Sequence, residues 1–192
     1  MRLIARPLPG MLVLEAEPHA DARGTFARCF CRDELAAWGV EVAVAQVNLS
    51  FSERTGTLRG LHYQVGSSAE TKVITCVQGS AHDVVLDLRP GSPAFGRHAA
   101  VEMSAENRRI LVVPQGCAHG FLTRSDRTLL LYLVSHRYDP ANEQAVRWDD
   151  PAFALPWPEP PQVISRRDAS VANYPLPAAS RASTRALIST RN

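Results

Sequence analysis

The 192-residue chain has no stretch approaching the ~20 consecutive apolar residues that a membrane-spanning helix needs. Its first residues, Met1-Arg2-Leu3-Ile4-Ala5-Arg6-Pro7, put charge and proline where a signal peptide requires an apolar run. The expectation is a cytoplasmic protein with no membrane partner. Charge of one sign is also missing: 21 basic residues stand against 19 acidic ones, for a formal +2, and no basic run exceeds two residues. That balance leaves no electrostatic footprint for DNA or RNA, so no nucleic-acid partner is expected. Cysteine is scarce. Cys29, Cys31, Cys76 and Cys117 are scattered through a chain long enough to bury a core without covalent staples, which points to reduced thiols. Cys29 and Cys31 fall two apart on an expected strand and would leave the same face, but no second Cys or His pair at finger-like spacing accompanies them.

Internal repeats and long Gly/Ser linkers are absent as well, and only Arg32-Asp33-Glu34-Leu35-Ala36-Ala37-Trp38 reads as a helix, stopped by Gly39. The length suits a single domain over 1–177. Residues 178–192 read as a mobile tail, arginine-rich, free of acids and without clear periodicity.

Period-two patterning dominates what is present. Thr71–Val77 and Asp83–Leu88 alternate apolar and polar residues between Gly79-Ser80 and Pro90-Gly91-Ser92-Pro93. Further strands are expected over 11–16, 24–30, 43–51, 57–64, 97–103, 109–113, 118–123 and 128–136, rich in Val, Leu, Ile, Thr and aromatics. Short strands at roughly ten-residue spacing predict an all-β sandwich or barrel with few short helices. Pro156-Trp157-Pro158-Glu159-Pro160-Pro161 must run extended, leading the chain back across the barrel, and a short helix is expected from Ser165.

Two segments concentrate chemistry. Gly56-Thr57-Leu58-Arg59-Gly60-Leu61-His62-Tyr63-Gln64, followed by Glu70-Thr71-Lys72, sets a histidine, an arginine and a lysine on adjacent strands. Pro114-Gln115-Gly116-Cys117-Ala118-His119-Gly120-Phe121 adds a second histidine after a Pro/Gly turn. Both histidines are expected to face one cavity. His62 reads either as a base or as a core histidine satisfied by a carbonyl. Arg59 and Lys72 favour the base, because both are costly in a barrel interior unless it binds an anionic ligand. Tyr132 lies in an apolar strand and reads as a core tyrosine unless it faces His62 across a cavity. Ser165-Arg166-Arg167-Asp168 matches a helix capping box, and spacing does not separate that role for Asp168 from one orienting a catalytic histidine.

Pro114-x-Gly116-x-x-His119 resembles the second signature of the cupin superfamily, which implies a double-stranded β-helix, or jelly roll. Metal-binding cupins use three histidines and a carboxylate. His62-Tyr63-Gln64 stands where their first signature has His-x-His, so the expectation is no metal at the His62/His119 cavity.

A wider set of motifs resembles the dTDP-4-dehydrorhamnose 3,5-epimerase family over about residues 2–175. It comprises Arg23-Gly24-x-Phe26, Gln46-Val47-Asn48-x-Ser50, the Gly56–Gln64 run, Lys72, Asp83–Arg89 with Ser92-Pro93-x-Phe95-Gly96, and Val113–Phe121. Tyr132, Tyr138, Glu143, Trp148-Asp149-Asp150-Pro151 and Ser165-x-x-Asp168 continue it. The resemblance implies a homodimeric jelly roll without metal or organic cofactor, which inverts C3, C5 or both beside the ketone of a dTDP-linked 4-keto-6-deoxyhexose. It implies His62 as base, Asp168 as its partner, Tyr132 as acid on the opposite face of the sugar, and Lys72 on the enolate oxygen. Arg23 and Arg59 would bind the diphosphate. Phe26, Gln46, Asn48, His119, Tyr138, Glu143 and Arg167 would complete the substrate site.

The chain departs from that pattern at Arg28, where the family has a glutamate, at Arg167 in place of a lysine, and at Cys117 in place of an aromatic. Three alternatives accompany the epimerase reading: a mono-epimerase of another nucleotide-linked 4-keto sugar, a metal-dependent cupin oxygenase, and a non-catalytic sugar-nucleotide-binding barrel. The last would have no reason to bring His62, Lys72, Tyr132 and Asp168 together.

Overall fold

The computed structural model describes residues 1–175, so the tail expected over 178–192 lies outside the described residues. In chain order the elements are β1 (Arg2–Ala5), β2 (Leu12–Glu15), β3 (His19–Asp21), β4 (Gly24–Phe26), α1 (Arg32–Ala37), β5 (Gln46–Ser52), β6 (Thr57–Gln64), β7 (Lys72–Gln78) and β8 (Ser80–Asp87). There follow β9 (His98–Ser104), β10 (Arg109–Val113), β11 (Cys117–Thr123), β12 (Thr128–Val134), β13 (Glu143–Ala145), β14 (Val163–Ile164) and α2 (Arg166–Ala169).

One sheet runs in the order β1-β2-β10-β7-β12-β5 and the other β13-β6-β11-β8-β9, with β14 added beside β6. Every pairing is antiparallel except that of β14 with β6. This is the two-sheet all-β architecture expected from the strand spacing and the jelly roll implied by the resemblance, with apolar residues of each sheet turned toward the other. Val13, Ile74, Leu111, Val113 and Leu130 of the first sheet meet Ala81, Val85, Met103 and Phe121 of the second in a shared core. Each buried Leu, Ile or Val stabilises that contact by about 1.5–3 kcal/mol.

The outer faces are covered too, so β10 carries the unbroken apolar run Ile110–Val113 and β8 the run Val84–Leu86. Leu12, Ile110 and Val112 pack under Leu35 of α1 and Val42. Val84 and Leu86 pack under Val146 and Phe153, with Trp157 of the proline-rich segment lying against the same cluster. That segment does lead the chain back across the second sheet. Among the described residues no helix is long and apolar enough to cross a membrane.

Two expectations are corrected. The strand expected over 24–30 ends at Phe26, because β4 pairs only with β3 in an isolated hairpin and has no further partner to extend it. Cys29 and Cys31 therefore do not share a sheet face: Cys29 is exposed, and Cys31 is the N-cap residue of α1. The helix itself ends at Ala37, with Gly39 at φ +83°, as the glycine stop predicts.

Candidate active site

Antiparallel pairing of β6 with β11 sets His62 opposite His119, so the two imidazoles project side by side from the second sheet into one cavity. Each has its own carboxylate. His119 Nε2 lies 2.5 Å from Oδ1 of Asp83, which comes from β8 and is fully buried. His62 Nε2 lies 2.8 Å from Oδ1 of Asp168, which arrives from far along the chain.

The route of Asp168 to His62 is built locally. After the proline-rich segment, Gln162 and Val163 both donate to Gly56 O, and β14 then pairs parallel to β6 through Val163 with Thr57 and Ile164 with Leu58. Ser165 caps α2 by accepting the Asp168 N–H at 3.0 Å. The Asp168 carboxylate reaches His62 and the Gly60 N–H, the latter at 3.3 Å. The two arrangements are geometrically compatible: the backbone N–H of Asp168 joins the cap while its side chain pairs with His62.

Gly60 makes this approach possible. It sits at φ +104°, and a Cβ there would lie 2.7 Å from His119 O and 2.8 Å from Gly120 Cα. Only a residue without a side chain lets β6 and β11 close to this distance.

The facing sheet supplies Lys72, at the start of β7, and Tyr132, on β12. Lys72 Nζ donates to His62 O at 3.1 Å and lies 3.4 Å from Glu70 Oε1. The Tyr132 ring meets His119 edge-on, with centroids 5.9 Å apart. The cavity between the walls measures about 520 Å³ and is also lined by Arg59, Phe121, Ser165 and Arg167. It adjoins a smaller pocket of about 240 Å³ that shares Ser50, Lys72 and Tyr132 and continues to Gln46, Asn48, Glu70 and Tyr138. Glu143 bridges the rim, accepting from Tyr138 Oη at 2.6 Å and from Arg167 Nη2 at 2.5 Å.

Electrostatics sort these groups. Burial alone would raise the Asp168 pKa, but the hydrogen bond and charge of His62, with the Gly60 N–H, hold it below the usual carboxylate value. Burial pushes Lys72 down, and Glu70 and then Glu143 oppose that. Burial lowers His119 against the pull of Asp83. Tyr132 is driven well above an ordinary phenol by burial, and then by Asp83, so it keeps its proton at neutral pH.

Of the residues singled out in the sequence, His62, Asp168, Lys72, Tyr132, Arg59, His119 and Arg167 line the main cavity, and Gln46, Asn48 and Tyr138 the adjoining pocket. Arg23 and Phe26 do not join them. They lie on the β3–β4 hairpin, in a separate shallow pocket; Arg23 pairs with Asp21, and Phe26 is 75% exposed. Arg28 pairs with Glu34 at 2.6 Å. Sequence reasoning gave no role to Asp83 or Glu70, although an acid inside an apolar strand and an acid two residues before a buried lysine were signals for both. Gln64 is buried and turned into a hydrogen-bond network rather than toward a metal position. Among the described residues no group of three or more His, Cys, Asp or Glu side chains is placed to hold a metal ion.

Comparison with known proteins bears on the family and the fold. Residues 5–175 match the model of the dTDP-4-dehydrorhamnose 3,5-epimerase family. The dTDP-4-dehydrorhamnose 3,5-epimerase of Salmonella typhimurium is 38% identical over 161 residues, 82% of this chain and 86% of that protein. The dTDP-4-dehydrorhamnose 3-epimerase of Streptomyces niveus is 39% identical over 169 residues, 88% of this chain and 81% of that protein. The crystal structure of the Bacillus anthracis 3,5-epimerase with TDP and pyrophosphate bound superimposes with a TM-score of 0.87 at 35% identity, covering 90% of this chain and 99% of that one.

Proposed function

The chain belongs to the dTDP-4-dehydrorhamnose 3,5-epimerase family, and on that premise we propose that His62, Asp168, Tyr132 and Lys72 carry out the inversion of carbons beside the ketone of a dTDP-4-keto-6-deoxyhexose. The observation that carries the assignment is the placement of base and acid on opposite walls: His62 on the second sheet, Tyr132 on the first, with one cavity between them.

The chemistry follows from those positions. With the Nε2–H of His62 donated to Asp168, Nδ1 is the nitrogen left to take a proton from the sugar carbon. A C–H next to a ketone is too weak an acid for imidazole unless the oxygen, as it turns into an enolate, meets a preorganised cation or donor; Lys72 supplies it. Asp168 stabilises the imidazolium that forms. Tyr132 returns a proton from the other face, and the stereocentre inverts. Arg59 and Arg167 at the cavity rim suit the diphosphate, since a guanidinium fork matches phosphate oxygens. The remaining rim groups, His119, Gln46, Asn48, Tyr138 and Glu143, orient the sugar and nucleotide.

A homodimer accounts for the two outliers. β5 is an edge strand whose Val47, Leu49 and Phe51 are 60%, 66% and 42% exposed. Edges of this kind invite pairing with a second copy. We read Arg23 and Phe26 as completing the site of the partner subunit. Light scattering should give a dimer mass, and mixing inactive Arg23→Ala with inactive His62→Ala chains should restore activity, because one of the two sites in a mixed dimer is then intact. A monomeric mass at micromolar concentration, or a mixture that stays inactive after subunit exchange, would reject this arrangement.

The function is tested by incubating the protein with dTDP-4-keto-6-deoxyglucose in D2O and following deuterium at C3 and C5 by NMR. Exchange at both carbons marks a 3,5-epimerase. Exchange at C3 alone marks a 3-epimerase, like the Streptomyces niveus relative by its name. A folded protein that binds the sugar nucleotide without exchange would establish a binding barrel instead.

A further inference from the structure

We propose that Glu70 is a positioning residue for Lys72: its carboxylate, braced by the buried amide of Gln64, fixes the ammonium group and keeps it charged where the substrate oxygen becomes negative. The inference rests on the reading of Lys72 as the group that meets the enolate.

Lys72 is the single lysine in the chain, and each of the other 20 of its 21 basic residues is arginine. An arginine keeps its proton wherever it is placed, whereas a lysine gives it up when desolvated. Lys72 is 9% exposed, so the chain's single lysine, unlike its arginines, stands where burial encourages loss of charge. Holding it charged requires a nearby anion. Glu70 Oε1 lies 3.4 Å from Nζ, and among the described residues Lys72 is the only cation within ion-pair distance of Glu70.

The other groups facing Lys72 do not replace that anion. Glu143, from β13, favours the charged form but is already engaged by Tyr138 and Arg167. The backbone carbonyl of His62 accepts one ammonium proton. Tyr132, Tyr138 and His119 are held toward their neutral forms.

What keeps Glu70 in place is Gln64, the residue that departs from the metal-binding cupin pattern. Gln64 is 3% exposed, and its amide is fully engaged. The two Nε2 hydrogens are shared among Glu70 Oε2 at 3.1 Å, Ser68 O at 3.1 Å and Arg137 O at 3.3 Å, while Oε1 accepts the Asp139 N–H at 2.6 Å. The two oxygens of Glu70 are thus divided between the ammonium and the brace. The chain Gln64–Glu70–Lys72 runs from a hydrogen-bonded loop network to the cavity.

Because there is one lysine, protein labelled with ¹³C-lysine reports its ammonium as a single side-chain signal. That signal should titrate at lower pH in Glu70→Gln than in wild type. In the D2O exchange assay, the high-pH limb of the rate profile should move to lower pH by the same amount. A lost oxyanion donor costs on the order of 10²–10³ in rate, so Glu70→Gln should lose at least about tenfold at pH 8 and recover toward wild type as the pH is lowered. Gln64→Leu should move the signal in the same direction. Identical Lys72 titrations in wild type and Glu70→Gln, or a loss of activity equal at every pH, would overturn the proposal. If the titrations differ as expected while Lys72→Ala still exchanges deuterium at the wild-type rate, the pairing stands and the role given to Lys72 in the reaction is what fails.

Discussion

Asp168→Asn removes one negative charge from the His62 pair and keeps the shape of the side chain, so it separates orientation and charge from packing. The Nε2–Oδ1 bond is 2.8 Å long, and Asp168 is 5% exposed, which puts it among charge-assisted bonds little weakened by solvent. Such a bond contributes about 1.5–3 kcal/mol, and at about 1.4 kcal/mol per factor of ten its loss costs on the order of 10–10² in the stability of the imidazolium. An amide can also donate to Nε2, which would leave the proton on Nδ1, the atom that must be free to act as base. The two effects together predict a fall in deuterium exchange of about 10² to 10⁴, the range that general base catalysis supplies. Ser165→Ala is the matched control: it removes the cap accepted from the Asp168 N–H and costs about 1 kcal/mol of stability, while leaving the carboxylate on His62. Thermal melts and exchange rates measured on both variants decide the matter. Asp168→Asn exchanging at the wild-type rate would refute the orienting role, as would Ser165→Ala losing as much activity as Asp168→Asn at equal stability. A pH signature accompanies this. The folded-state pKa of Asp168 lies below its unfolded value of about 3.9. The pair therefore contributes stability above that pH and loses it as the pH falls through the folded value. Asp168→Asn should flatten that part of the acid denaturation curve.

Tyr132→Phe keeps the ring on His119 and removes the proton donor, so deuterium exchange by His62 should persist in part while inversion falls by about 10²–10⁴; product stereochemistry followed by NMR checks it, and inversion at the wild-type rate excludes Tyr132 as the acid. Gly60→Ala drives a methyl into the backbone of His119 and Gly120 at a positive φ, for a predicted loss of at least about 1–3 kcal/mol in urea unfolding together with most of the activity. A stable and fully active Gly60→Ala would mean that β6 and β11 have room the structure does not show.

The strands that were legible in the sequence are those long enough or apolar enough to show a buried face: β2 and β5 through β12 fall within a few residues of their expected spans. The ones that escaped have no such face. β13 and β14 are Glu143–Ala145 and Val163–Ile164, too short to show a period, and they exist because the long β6 offers an open edge. The strand drawn through Phe30 failed for a related reason. Ala27 and Phe30, past the end of β4, pack into the cluster with α1 and pair in no sheet. At the site, Asp168 was ambiguous because a capping box and a catalytic carboxylate share one spacing; only the path of β14 shows that the side chain turns away from its own helix. The role of Asp83 was hidden because its partner, His119, lies on a different strand and 36 residues away. Family motifs marked Arg23 and Phe26, yet nothing in their spacing says that the hairpin carrying them stands apart from the cavity within one chain.

His62 and Asp168 are separated by 106 residues, and every strand of both sheets up to β13 lies ahead of the segment that carries the carboxylate. Synthesis at about 5–20 residues per second places on the order of 5–20 s between the emergence of the imidazole and that of its partner. The strands from β7 to β13 emerge in that interval, while His62 still lacks its carboxylate partner. Translation that stops short of α2 would leave His62 without the carboxylate of Asp168. In this architecture the partner of the candidate base is therefore supplied by a segment made after the strands β1 to β13.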